Sequence, residues 1–306
     1  MMYDVIIIGG GPGGVAAGIY AARKKMKTLL ITDNFGGQSL TSAGIENWIG
    51  TKSISGYDLA KQLEEHLRAQ QGIEIVEGDL VRAVTKKDGG FDVATKNGKK
   101  FETKYILMAS GSRRKKLGIP GEAEFDGKGV VYCSTCDAPI FGGKTVVVVG
   151  GGNSALESVI DLLPYASKIY LMVRRDVLRG DPITQEKLKN HPQVEILFNA
   201  VPQEIIGKDF VTGIRYNDAK TGEQKELAFD GVFVEIGLIP NSDFVKDLVT
   251  LNEIGHVVVD HKTQQSSCPG IWAAGDVSDV LYDQNNISVG DSIKAALNIY
   301  DQVKKG

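Results

Sequence analysis

Cys133 and Cys136 stand two residues apart in Tyr132-Cys133-Ser134-Thr135-Cys136-Asp137, just after the apolar pair Val130-Val131. Two thiols at that spacing can close a small disulfide. Once reduced, one sulfur can attack an external disulfide while the other resolves the mixed species. The same spacing also supplies half of a zinc site, which needs two further thiolate or imidazole ligands. Cys268 and the histidines His66, His191, His256 and His261 are scattered, with no second CxxC or HxxxH. Redox work is therefore favoured over metal, and a merely structural disulfide fits a reducing compartment poorly. Asp137 has two readings: a solvated or helix-capping carboxylate, or a carboxyl kept protonated by low polarity and serving as a general acid. Cys268, before Pro269, reads as an inert packed thiol.

Two glycine loops must position this chemistry. The apolar run Asp4 to Ile8 leads into GGGPGG at residues 9–14, then a helical stretch from Val15 to Lys25 and a strand from Thr28 to Thr32. Gly9, Gly11 and Gly14 hold the three GxGxxG positions: a tight turn, close approach of backbone to a pyrophosphate, and close helix–strand packing. The helix N-terminus adds unpaired N–H groups and partial positive charge. Where an acidic ribose ligand is expected the chain has Thr32, followed by Asp33. The second loop follows Lys144 to Val149 and reads GGGNSA at 150–155, with Gly150, Gly152 and Ala155 in the three roles. Its next strand, Lys168 to Val173, runs into Arg174-Arg175, with Arg179 close behind. Guanidinium groups there suit the 2′-phosphate of NADP better than the free hydroxyl of NAD. Two dinucleotide folds imply two dinucleotides, one held and one exchanging.

The chain has 306 residues, long enough for two domains. Its 37 glycines are about 12% of the chain against a typical ~7%, without a three-residue period. A net charge of −3 gives no reason to expect a nucleic-acid partner. The apolar runs fall far short of the ~20 residues that cross a bilayer. The start, MMYDVIIIGGGPGG, shows no basic flank or cleavage site, so a cytoplasmic location and no membrane partner are expected. The pattern predicts an α/β fold of two Rossmann-like three-layer dinucleotide-binding domains, the second inserted in the first. Expected boundaries are 1–116 with 244–306, and 117–243. Gly118 to Gly121 reads as a crossing linker, and an amphipathic helix closes the chain over Asp291 to Val303.

With these motifs together, the chain resembles the bacterial-type low-molecular-weight thioredoxin reductases, flavoproteins with two dinucleotide domains. The resemblance runs through GGGPGG, GGQ at 36–38, IENW at 45–48, ASG at 109–111, IPGE at 119–122, CSTCD at 133–137 and GGGNSALES at 150–158. It continues through VRRD at 173–176, IGLIPN at 236–241 and PGIWAAGD at 269–276. The resemblance implies a homodimer carrying electrons from NADPH through tightly held FAD and Cys133–Cys136 to thioredoxin. It implies FAD contacts at Gly9, Gly11, Pro12, Gly14, Thr32, Asp33, Gln38, Asn47, Gly111, Asp276 and Gln284, and NADPH contacts at Gly150, Gly152, Asn153, Ser154, Arg174, Arg175 and Arg179. It also assigns Cys133 to attack on the partner's disulfide, Cys136 to the flavin side and Asp137 to proton supply, with the inserted domain swinging to alternate the two half-reactions.

Three positions depart from the pattern: Val173 where a histidine is usual, Asp283 in place of an arginine before Gln284, and Ile49 in place of a proline. None removes a reacting atom. Other expectations compatible with the sequence are a thioredoxin reductase fed by ferredoxin or NADH, and a reductase of another small dithiol carrier, peroxidase-linked or glutaredoxin-like. A ferredoxin–NADP reductase of related fold has no use for the cysteines, and a non-enzymatic flavin-binding module lacks flavin turnover altogether.

Overall fold

The computed structural model describes residues 2–42 and 44–305, leaving out the side chains of Thr41, Thr135 and Cys136. The chain divides into two compact units, Met1–Arg113 with Ile239–Gly306, and Arg114–Leu238.

The first unit is built on β1 (Met2–Gly10), a nearly continuous apolar strand that must be covered on both faces. It pairs in parallel with β2 (Thr28–Phe35) on one side and β6 (Lys100–Met108) on the other. β3 (Ile73–Glu77) extends the parallel ladder beyond β2. β4 (Val81–Lys87) and β5 (Gly90–Thr95) form an antiparallel hairpin attached to β6. Alternation along β1 separates two cores. Val5 and Ile7 pack with apolar residues of α1 (Pro12–Arg23) and with Leu67 of α2 (Gly56–Arg68), whereas Ile6 and Ile8 face Val84, Phe91 and Val93 of the hairpin.

After the crossing strand β7 (Ser112–Arg114), the second unit forms a five-stranded parallel sheet. Its strands are β8 (Val130–Val131), β9 (Thr145–Val149), β10 (Lys168–Val173), β11 (Val194–Phe198) and β15 (Gly231–Val234), in the order β11-β10-β9-β15-β8. One face carries α3 (Ser134–Asp137), α4 (Asn153–Leu162) and α5 (Pro182–Lys189), whose Leu188 joins the core with Val146 and Val148. The opposite face, through Val147 and Val149, packs on an antiparallel sheet of β12 (Ala200–Gly207), β13 (Val211–Asp218) and β14 (Gln224–Ala228). The return strand β16 (Leu238–Pro240) leads to β17 (Val259–Asp260), β18 (Gln265–Ser266) and β19 (Ile271–Ala273), the last pairing in parallel with β6. α6 (Asn285–Val303) completes the first unit.

The units divide at 113/114 and 238/239, a few residues before each expected position. The segment Gly118 to Gly121, which reads as a linker in the sequence, lies within the second unit, where the expected bounds 117–243 also place it. Glu122, almost fully buried, accepts the N–H groups of Leu117 at 2.8 Å and Gly118 at 2.7 Å, and Ile205 donates to Pro120 O at 2.9 Å. α6 begins six residues before the expected Asp291. Its polar first turn is helical because small neighbours admit it: a Cβ on Gly275 would lie 2.6 Å from Ser288 Oγ, and one on Gly13 3.1 Å from Ser288 O. Packing overrides the weak helical signal of Asn285 to Gly290. α5 is an addition to the expected elements, although Asp181 caps it through Thr184 N at 2.9 Å and Pro182 opens it, which are the ordinary start signals. No described helix is long and apolar enough to cross a membrane.

Candidate active site

In the first unit the β1–α1 turn opens a cavity of about 660 Å³. Gly9, Gly11, Pro12, Thr32, Asp33, Gln38, Gly111 and Asp276 all line it. The three loop glycines separate by role. A Cβ on Gly14 would sit 1.9 Å from Gly9 O, so this residue packs helix on strand and does not face the cavity. A Cβ on Gly11 would meet only Gly37 Cα at 4.0 Å, leaving open backbone at the N-terminus of α1, which no side chain caps. Open backbone of this kind fits a pyrophosphate. Thr32 is buried and its hydroxyl donates to Asn34 O at 2.6 Å, so the exposed Asp33 is the freer of the two side chains as an acceptor.

At the other end, Gln38 Nε2 donates to Ser112 Oγ at 2.8 Å and Asp276 Oδ2 at 3.3 Å. Burial, with the negative charge of Asp283, pushes the Asp276 carboxyl above its ordinary range. Asn47 and Gln284 do not line the cavity but meet each other, Asn47 Nδ2 donating to Gln284 Oε1 at 3.1 Å. Asn286, three residues after the departing Asp283, spans the same loop: its amide donates to Asn47 O at 2.7 Å and its carbonyl accepts from Ile49 N. Ser112, Asn285 and Ser288 also line the cavity, unforeseen from sequence because they belong to no glycine motif. The cavity, the open glycine backbone and the polar far end fit FAD.

The second loop repeats this geometry. A Cβ on Gly150 would lie 2.2 Å from Glu235 O and 2.7 Å from Ala155 Cβ, whereas one on Gly152, the N-cap of α4, would meet nothing within 4 Å. No side chain caps α4 either. Arg179 donates its N–H to Gly151 O at 2.7 Å, and Asn153 Oδ1 accepts from Asp181 N at 2.7 Å. The chain after β10 is thereby tied beside the loop, with Arg174 and Arg179 exposed and Arg175 half-buried. Ser154 is exposed in the first turn of α4. Open backbone with nearby guanidinium groups fits a phosphorylated dinucleotide.

Cys133 is disulfide-bonded and stands at the N-cap of α3. The side chain of Cys136, the expected second sulfur, lies outside the described residues. Asp137 ends α3 half-buried, its N–H donating to Cys133 O at 3.1 Å. Its side chain caps nothing, and burial raises its proton affinity. Cys268 is a buried free thiol, and no group of residues suited to a metal ion occurs among the described residues. Behind the turn runs a polar chain that sequence reasoning missed. Ser134 Oγ donates to Asp161 Oδ2 at 2.7 Å, Ser158 Oγ lies 3.0 Å from both Ser134 Oγ and Glu235 Oε1, and Arg114 holds Glu235 Oε2 at 2.9 Å.

Residues 3–298 match the pyridine nucleotide-disulphide oxidoreductase family. Among solved structures, the chain is similar to Lactococcus lactis thioredoxin reductase in its FR conformation, with 37% identity, a TM-score of 0.84 and coverage of 99% and 100% of the two chains. The T. acidophilum thioredoxin reductase gives 38% identity, a TM-score of 0.81 and 99% coverage of each chain. Among curated proteins, a subunit of the alkyl hydroperoxide reductase of Pseudomonas putida is 42% identical over 304 residues, 98% of this chain. The chain spans only 58% of that relative's length. With two glycine-loop units and a bonded cysteine at the head of a helical turn, the chain belongs to the pyridine nucleotide-disulphide oxidoreductase family, among the bacterial-type low-molecular-weight flavoprotein disulfide reductases that bind FAD and NAD(P)H.

Proposed function

We propose that this protein is an NADPH-dependent thioredoxin reductase, passing two electrons to oxidised thioredoxin by way of FAD and the Cys133–Cys136 pair. The observation that carries this reading is the bonded Cys133 at the head of α3, in the same unit as the open Gly152 loop and Arg174. The likeness to thioredoxin reductases extends over the full length of both chains, which favours thioredoxin as acceptor. FAD, when bound, supplies two-electron transfer between nicotinamide and disulfide. It is held by the first-unit cavity, with Gly11 and the α1 N-terminus at the pyrophosphate, Asp33 at the ribose, and Gln38 and Asp276 toward the other end; Asn47 and Gln284, outside the cavity lining, brace each other. Gly150, Gly152, Asn153, Ser154 and the three arginines hold NADPH.

The chain's own chemistry begins with the reduced pair. The Cys133 thiolate attacks the carrier's disulfide, and the carrier's departing thiolate takes a proton from Asp137. Cys136 then attacks Cys133 Sγ, releasing the second carrier sulfur and restoring the Cys133–Cys136 disulfide. Anaerobic NADPH titration should bleach the flavin absorbance, and added thioredoxin should restore it. Cys136→Ser should keep the bleaching and lose disulfide turnover; turnover that survives in this variant refutes the dithiol route.

The similarity to the alkyl hydroperoxide reductase chain supports a second reading, in which the acceptor is a dithiol carrier serving a peroxidase. Steady-state assays with thioredoxin and with a peroxidase-linked dithiol domain as competing acceptors, run with both NADPH and NADH, separate the two. The protein acts in the cytoplasm as a homodimer on this proposal.

A further inference from the structure

Glu235 is a buried acidic residue that the proposed reaction does not use. It follows β15, and its side chain is only 4% exposed. Its main chain abuts the nucleotide loop: its N–H donates to Val149 O at 2.8 Å, and its carbonyl oxygen fills the space that a Gly150 Cβ would need. Its side chain points the other way, toward the redox turn. Oε1 is 3.0 Å from Ser158 Oγ, which is 3.0 Å from Ser134 Oγ, and Ser134 directly follows the bonded Cys133.

Ser158 has one hydroxyl proton and two acceptors within reach. The chain therefore has two hydrogen-bond arrangements, one satisfying Glu235 and one satisfying Ser134. A buried element with two discrete arrangements, touching a different site at each end, is what physical coupling between sites requires. Ser134 lies in the turn headed by the bonded Cys133, and Glu235 O packs on the loop that carries Gly150.

We propose that Glu235, Ser158 and Ser134 couple the nucleotide loop to the cysteine turn, so that the disulfide form binds the dinucleotide more tightly than the dithiol form. The structure is that of the disulfide form, with Ser158 Oγ within 3.0 Å of both Ser134 Oγ and Glu235 Oε1 and Glu235 seated on the loop. By linkage, bound nucleotide disfavours reduction of the pair by the same factor. The inference rests on the reading of this unit as the NADPH site. These three are positioning residues: none touches a reacting atom.

The test uses 2′,5′-ADP, a redox-inert fragment, titrated calorimetrically into the FAD-loaded protein as oxidised enzyme and again after anaerobic reduction with excess dithiothreitol. Kd should rise at least about fivefold on reduction. Ser158→Ala should bring the ratio of the two Kd values close to one, and Ser158→Thr, which restores the hydroxyl, should recover it. Ser134→Ala breaks the chain at its other end and should have the same effect. A ratio isolates coupling from general damage, which weakens both states alike. Equal affinity in both states of the unaltered protein overturns the coupling alone, as does a full ratio in Ser158→Ala and Ser134→Ala. No binding in either state overturns the NADPH reading and the coupling with it.

Discussion

At the residue scale, what matters is which protonation state and which charge each side chain holds. Burial raises the proton affinity of Asp137, so it carries its proton to higher pH than an ordinary carboxyl. A general acid works while protonated, so its contribution is full at low pH and lost as pH rises through its raised pKa. Asp137→Asn should lower disulfide turnover by roughly 10²-fold, the lower end of the usual contribution of such an acid, and remove that alkaline fall. Flavin reduction by NADPH, measured by stopped flow, should be unchanged; an unaltered pH profile would count against the role. Arg174 and Arg175 take part in none of the ion pairs of their unit among the described residues, so their charge is available to a ligand. Charge-assisted hydrogen bonds contribute about 1.5–3 kcal/mol each. Replacing both arginines by alanine should therefore raise the KM for NADPH on the order of a hundredfold and leave that for NADH near its starting value. An unchanged NADPH KM removes the 2′-phosphate assignment.

At the element scale, the glycines of one loop have opposite tasks. Gly150 has no room for a side chain, and its φ of +156° lies where L-residues are rarely found, whereas Gly152 has open space and an extended backbone. Gly150→Ala should destabilise the second unit by about 1–3 kcal/mol, as overpacking does. Gly152→Ala should leave the melting temperature within a degree or two and weaken NADPH binding, because the methyl occupies the pyrophosphate's approach. Equal melting-temperature losses in the two variants would sink this division of labour. Such contrasts could be read from GxGxxG spacing, as could the βαβ frames, because both follow from local periodicity and backbone sterics. The first turn of α6 was hidden, since its helicity depends on Gly13 and Gly275 brought close by the fold. The Ser134–Ser158–Glu235 chain was hidden for the same reason: its members lie 24 and 77 residues apart in sequence and no spacing rule connects them.

At the scale of the whole molecule, each unit has its own hydrophobic core. Ile6, Ile106 and Ile271 lie in one, Val146, Leu171 and Phe233 in another, and no described cluster draws on both units. A ligand stabilises the body that binds it, by about 2.7 kcal/mol at a free concentration one hundred times its Kd. If the first unit holds FAD and the second NADPH, the two ligands should act on different unfolding events. In scanning calorimetry of flavin-depleted protein, added FAD should raise one transition and 2′,5′-ADP the other, each by several degrees. Gly152→Ala should abolish the second response while sparing the first. A single transition that both ligands raise equally, with Gly152→Ala suppressing both, would place the two dinucleotides on one cooperative body and defeat the assignment of one cofactor to each unit.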